Sequence, residues 1–265
     1  MKEGQKSRYM VFKWLKTNYW SSLLVCLLVF ILGGSVSAYG ISIFRLSDFL
    51  SQFFGTSHPF YSIVFLIAFV LLISLPISVG NARFFLRSLE GASKMSDLLY
   101  TFQPTHYWNA VRIECVRYLI SVGIFTVAGI LGILIIRTTA GTLLLFGVAL
   151  MIAMPLYYKY RLAPYILAQH PKMNLKEVFN TSDRLMSNRR WDLFIIDISF
   201  VGLLLVGSLF FGVGGLLVAP YYEGTVARYY LECVQLDPYA SKQLEKKESE
   251  IMDVAPVVTD GGVSR

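Results

Sequence analysis

Two apolar runs constrain this chain more than any other feature. Residues 118–158 form a run of 41 residues, interrupted only by Arg137-Thr-Thr-Ala-Gly-Thr. Residues 193–231 form a run of 39 with no polar loop. One helix of such length rises about 60 Å, twice the roughly 30 Å hydrocarbon core of a bilayer. Each run therefore predicts a helical hairpin. The first turns at Arg137; the second turns at Gly212, Gly214 and Gly215, where a sharp reversal needs glycine's backbone freedom. For the second run the alternative is one tilted crossing followed by an interfacial or re-entrant segment, which gives five spans instead of six.

Two earlier runs, 20–44 and 60–79, complete a third hairpin. The fold class expected is all-α: a multi-pass transmembrane helical bundle of six spans in three hairpins, with interfacial amphipathic helices. A content of 55% hydrophobic residues agrees, since soluble domains hold roughly 45–50%. The N-terminus imitates a secretory signal, with basic residues, an apolar core over 23–32 and Val36-Ser37-Ala38. Its apolar character continues to Phe44, so a retained helix is expected.

The formal charge of +7 raises nucleic acid as a partner, and the placement of the charge answers it. Five basic residues precede the first run, five lie between the second and third, and seven between the fourth and fifth. The other two connections hold only Arg45 and Arg137. This alternation is the positive-inside pattern. It predicts a multi-pass protein of the cell membrane with a cytoplasmic N-terminus, contact with anionic headgroups on the cytoplasmic side, and no nucleic acid. Two crossings in the last run put the C-terminus in the cytoplasm too. Residues 1–234 form the integral membrane domain, and 235–265, a mixed polar sequence without periodicity, a disordered cytoplasmic tail.

Cys26, Cys115 and Cys233 are scattered, as are His58, His106 and His170. No metal, redox or cofactor pattern joins them, and no P-loop, HExxH or nucleophile elbow is present. The reading is of a protein that is not an enzyme and takes no cofactor.

Amphipathic segments flank the spans. Leu46, Phe49, Leu50, Phe53 and Phe54 repeat at helical spacing, as for a helix lying on the outer leaflet. Trp108, Val111 and Cys115 do the same on the inner side. Asn174 followed by Glu177 matches a capping box, opening a helix with Leu175, Val178, Leu185 and Met186 on its apolar side. In the first span Gly33 with Ser37, and Gly34 with Ala38, offer close helix approach.

The hairpins share a plan. Trp14, Trp20, Trp108 and Trp191 stand at or before the inner start of an odd-numbered span, as interfacial anchors. Pro76, Pro155 and Pro220 stand in the even-numbered spans, each followed by an arginine: Arg83, Arg161 and Arg228. These prolines, with Glu223, mark a candidate cavity or hinge. Asp197 lies one turn inside its span and needs a partner. Arg228, at comparable depth on the returning helix, is the expected one, serving either as a proton or ion relay or to set the hairpin register. Arg83 and Arg87 read as snorkelling to phosphates.

The stretch SDRLMSNRRWDLFIIDISFVG followed by GVGGLLVAPYYEGTVARYY resembles a bacterial family of uncharacterised integral membrane proteins, catalogued as domain of unknown function 975. Ser182, Met186, Phe194, Asp197, Ser199, Phe200, Gly202, Pro220, Tyr221, Thr225, Ala227 and Tyr230 carry the resemblance. VGNARFFLRSLEG and YYKYRLAPYILAQHP are similar to its earlier segments, so the likeness covers about residues 10–234. Asn188 stands where the family usually has glycine, Leu203 where it has tryptophan, and the turn before Pro155 lacks a Pro-Gly. The resemblance implies a multi-pass bacterial membrane protein and brings no substrate.

Two roles are expected from the residues. One is a non-enzymatic accessory or scaffold protein acting on lipid, partner subunits or a second copy of itself. The other is a small transporter or channel with a cavity among the proline-bearing helices. A closed apolar core favours the first, a polar cavity the second.

Overall fold

The computed structural model describes residue 14 and residues 18–30, 68–131, 139–208, 213–238 and 242. Among these, every regular element is a helix. In chain order they are α1 (Asn18–Phe30), α2 (Val70–Leu89), α3 (Ser96–Leu99, continued by a 3-10 turn at Tyr100–Phe102) and α4 (Pro104–Leu131). There follow α5 (Thr139–Lys159), α6 (Ala163–Gln169), α7 (Leu175–Met186), α8 (Arg190–Ser208) and α9 (Val213–Leu236). The small-residue pairs at 33–38, the amphipathic segment at 46–54, the start of the second span, the turn at Arg137, Gly212 and nearly all of the tail lie outside the described residues.

Among the described residues, two helical stretches are long and apolar enough to cross a membrane, Val70–Leu89 and Leu143–Gln169. The two long runs each form a pair of packed helices, α4 with α5 and α8 with α9. The α8–α9 pair is antiparallel: Tyr229 Oη donates to the Arg189 carbonyl at 2.9 Å, while Tyr222 reaches Asp197 farther along. Gly214 and Gly215, expected in the turn, belong instead to the first turn of α9.

Helix α2 departs from expectation. It does not end near Val79 but continues to Leu89, because Ala82, Phe84, Phe85 and Leu86 bury its second half. Pro76 lacks the N–H that would bond the preceding turn. A π turn at Val70–Ser74 absorbs the mismatch, and the Leu72 carbonyl, four residues before the proline, accepts from Tyr107 Oη at 3.0 Å. The helix stops at Gly91 (φ 79°), with Gly91 N bonding Ser88 O at 3.1 Å and Ala92 N bonding Arg87 O at 2.9 Å. That double bond is a Schellman cap, which needs a left-handed residue at this place.

The capping box of α7 forms: the Asn174 backbone N–H donates to the Glu177 carboxylate at 3.1 Å. Val178, Leu185 and Met186 turn inward as the spacing implied. Between α5 and α7 lies an element that sequence reading did not separate. After Lys159 the chain turns and sends α6 into the interior, with Ala163, Pro164, Tyr165, Ile166, Leu167 and Ala168 all buried. The main core therefore gathers where α6, the second half of α2, α7 and the second half of α9 meet, around Phe85, Ile166, Met186, Val226 and Tyr230. The opposite end of the bundle is loosely covered. Leu143, Leu144 and Met151 of α5 are 73%, 74% and 77% exposed, and residues 201–206 of α8 are exposed on every side.

Candidate functional site

Ionisable side chains from five segments meet where that core gives way to the apolar end. Helix α4 contributes Glu114 and Arg117, three residues apart and so on one face. Glu114 is fully buried, and an ionised carboxylate there requires a partner. Arg117 supplies it, donating from Nε at 3.0 Å and Nη2 at 2.5 Å to the same oxygen, Oε2.

The end of α5 and the turn after it bring in Tyr157, Tyr158 and Arg161; α6 brings Tyr165, α8 brings Asp197, and α9 brings Tyr222 and Glu223. Asp197 accepts two hydroxyl bonds, from Tyr158 at 2.8 Å and Tyr222 at 2.9 Å. Arg161 Nη2 in turn donates to the Tyr222 oxygen at 2.8 Å. A guanidinium, a hydroxyl and a carboxylate thus form one polarised chain, in which each bond strengthens the next. The Arg161 guanidinium also lies 5.5 Å from the Tyr157 ring centre. Glu223 accepts from Tyr165 Oη at 3.1 Å, and Tyr165 stacks on Tyr230, whose hydroxyl bonds Gln169 at 2.6 Å.

Arg161 and Glu223 are half-buried. Asp197 and Tyr222 are half-buried too, so all four keep some accessible surface. These half-buried groups, with the fully buried Glu114, form one polar cluster between the helices, called the crevice below. Glu114 Oε1 and Arg161 Nε have no hydrogen-bond partner among the described residues, so the lining still has unused acceptor and donor capacity.

The expected pair of Asp197 and Arg228 does not form. Asp197 is held by tyrosines, whereas Arg228 Nε meets Glu232 at 3.4 Å on its own helix. The reason is register: Tyr222 stands opposite Asp197, and Arg228 lies six residues on, about 9 Å farther along α9. The arginines read as snorkelling are also tied down. Arg83 Nη1 donates to the Ala168 carbonyl at 3.0 Å, and its guanidinium lies 3.5 Å from the Tyr100 ring centre. Arg87 Nη1 bonds Asp97 at 2.7 Å. The three arginines of the supposed repeat consequently have three different fates.

Of the anchors, Trp14 turns inward, donating from its indole N–H to the Ser88 carbonyl at 2.8 Å and packing edge-on against Phe85. Trp20, Trp108 and Trp191 are well exposed. The prolines all stand in helices: Pro76 and Pro220 are buried and Pro155 is exposed. Pro155 precedes Tyr158 by three residues and Pro220 precedes Glu223 by three, so two of the three adjoin the crevice. Sequence reading named Asp197 and Glu223 but missed Glu114, Arg117 and the tyrosines. The visible signal was the dense run Tyr157-Tyr158-Lys159-Tyr160-Arg161 beside Tyr221-Tyr222-Glu223.

The chain matches a protein family of unknown function, DUF975, over residues 1–237. It belongs to that family. No curated protein and no solved structure matches it. Positions through which this chain resembles DUF975 proteins serve as internal struts. Ser182 Oγ donates to the Lys159 carbonyl at 2.9 Å, Thr225 Oγ1 to the Tyr221 carbonyl at 2.7 Å, and Phe200 packs against Tyr221 with ring centres 5.0 Å apart. Asn188 has φ 65°. With Ser187 at φ −60° and ψ 125°, and Arg189 N bonding Met186 O at 3.2 Å, it fills the left-handed corner of a type II turn. Glycine is the preferred residue at that corner and asparagine the next best.

Proposed function

We propose that this DUF975 protein is a multi-pass bacterial cell-membrane protein that acts as a small transporter around the crevice between α4, α5, α6, α8 and α9. The observation that carries the reading is the gathering of Arg161, Asp197 and Glu223, half-buried and bonded to tyrosines, between these helices. Ionisable groups in such a place are costly to a membrane protein unless they line a path or face water. A scaffold requires none of them. The exposed leucines of α5 support a lipid-facing helix, since a soluble protein seldom presents so broad an apolar face.

The alternation of basic residues supports three hairpins with both ends of the chain in the cytoplasm. Exposed Trp20, Trp108 and Trp191 suit an interfacial belt beside anionic headgroups. Catalysis is not part of the proposal. A scaffold role has one observation in its favour: the bare face of α5 at Leu143, Leu144 and Met151 is apolar enough to receive a partner helix or a second copy.

The test is accessibility from both membrane faces. In a chain with Cys26, Cys115 and Cys233 replaced by alanine, Tyr157→Cys should react with a small, charged, membrane-impermeant thiol reagent applied from either side. Protection from both sides would leave a closed bundle and defeat the transporter reading.

A further inference from the structure

Three carboxylates and two guanidinium groups share the crevice, and their compensation is unequal. Glu114 takes both Arg117 bonds. Asp197 takes two hydroxyls, one of them polarised by Arg161. Glu223 has a single neutral donor, Tyr165, and forms no ion pair with a described guanidinium. With all five groups ionised the cluster holds one net negative charge. An uncompensated charge in a poorly solvated site is expensive, and the natural remedy is to bind one cation. Among the described residues no group of His, Cys, Asp and Glu is arranged to hold a metal ion.

We infer that the crevice binds one exchangeable proton, carried by Glu223. This rests on the transporter reading and adds the ion that the site takes. Glu223 is faced by Tyr165 from α6, Arg161 from the turn before it, Asp197 from α8, Arg117 from α4, Cys26 from α1, and Tyr222 from its own helix. The arginines of α2 are directed elsewhere, Arg83 to Ala168 and Arg87 to Asp97.

When the proton sits on one Glu223 oxygen, the other continues to accept from Tyr165. When it leaves to water in the crevice, the new carboxylate attracts the Arg161 guanidinium, whose Nε is unused. Movement of Arg161 toward Glu223 draws it from Tyr222 and loosens the Tyr222–Asp197 bond. Proton release is thereby coupled to the contact between α8 and α9, three residues after Pro220.

Infrared difference spectroscopy on the full chain in lipid nanodiscs tests the site. The wild type should show a protonated-carboxyl stretch near neutral pH that shifts in heavy water and titrates away on alkalinisation. That band should vanish in Glu223→Gln and persist in Asp197→Asn. Should Glu223→Gln fail to fold, Glu223→Asp must displace the band while Glu114→Gln and Asp197→Asn leave it in place. Absence of the band from the wild type, or its survival in Glu223→Gln, overturns the inference. So does a melting temperature that rises with sodium or potassium at fixed pH in the wild type but not in Glu223→Gln, which would make the ligand a metal cation. A separate arm reads transport, as dissipation of a pH gradient by proteoliposomes. A band assigned to Glu223 with liposomes no leakier than empty ones keeps the proton site and rejects the transporter. Gradient dissipation that is unchanged in Glu223→Gln does the reverse.

Discussion

Gly80→Ala should strongly destabilise the fold, although it adds one methyl group to a helix. A Cβ at position 80 would stand 2.0 Å from the Leu98 carbonyl oxygen, 2.9 Å from its carbonyl carbon and 3.2 Å from its Cα. Carbon–oxygen contacts between packed backbones settle near 3.3 Å, so α2 and residue 98 must part by roughly 1.3 Å. All three obstacles are backbone atoms, and no rotamer change relieves them. The displacement would also strain the bonds to Asp97, the residue before Leu98, from Arg87 at 2.7 Å and from the Lys94 backbone N–H at 2.8 Å. Overpacking alone costs about 1–3 kcal/mol, and each hydrogen bond to a charged group contributes about 1.5–3 kcal/mol. Alanine recovers about 1 kcal/mol of helix propensity. The net loss expected is on the order of 3 kcal/mol, more than a hundredfold in the folding equilibrium. Thermal unfolding in detergent, with the yield of monodisperse protein, measures it. Gly123→Ala, Gly147→Ala and Gly202→Ala serve as controls, since their added Cβ meets nothing within 4 Å among the described residues. They should be neutral or stabilising. Equal stability of Gly80→Ala and wild type, or equal losses in the controls, would refute the reasoning.

Asn188→Ala should cost about 1 kcal/mol through its left-handed backbone, and Asn188→Gly should cost nothing, as read from thermal unfolding. Asp197→Asn and Arg228→Gln should be additive to within about 0.5 kcal/mol in a double-mutant cycle; larger coupling would revive the direct pair. Tyr158→Phe and Tyr222→Phe each remove a hydroxyl from Asp197 and should lower stability by about 1.5–3 kcal/mol, with marked non-additivity because both serve one carboxylate. His106, at the start of α4 and stacked on Tyr100, has its pKa lowered by burial and by Arg83 and Lys172. A depressed histidine value means that protonation favours the unfolded chain. Stability should therefore fall as pH drops below about 6.5, the ordinary value, and His106→Gln should flatten that part of the profile.

Much of the outline was legible in the sequence because it depends on neighbours along the chain. Run length and apolar content called for paired helices over 118–158 and 193–231. The Asn174 and Glu177 spacing called for the cap of α7. These signals are local, repeating within a helical turn, and need no knowledge of what lies opposite. The need of Asp197 for a partner was equally plain, since its neighbours are apolar on both sides.

The identity of that partner was not legible. It depends on the stagger and rotation of α9 against α8, which set Tyr222 level with Asp197 and carried Arg228 about 9 Å beyond. It also depends on the inward turn of the chain after Lys159, which brought Tyr158, Arg161 and Tyr165 into the interior instead of leaving them at its edge. Gly80 makes the same point, because its requirement comes from the Leu98 carbonyl, 18 residues away and on another element. The sequence by itself determined a helical chain of paired apolar elements with an acid inside the last pair. Only the tertiary structure decided which side chains meet that acid, because packing between helices selects partners by three-dimensional register, which a pattern of local periods does not contain.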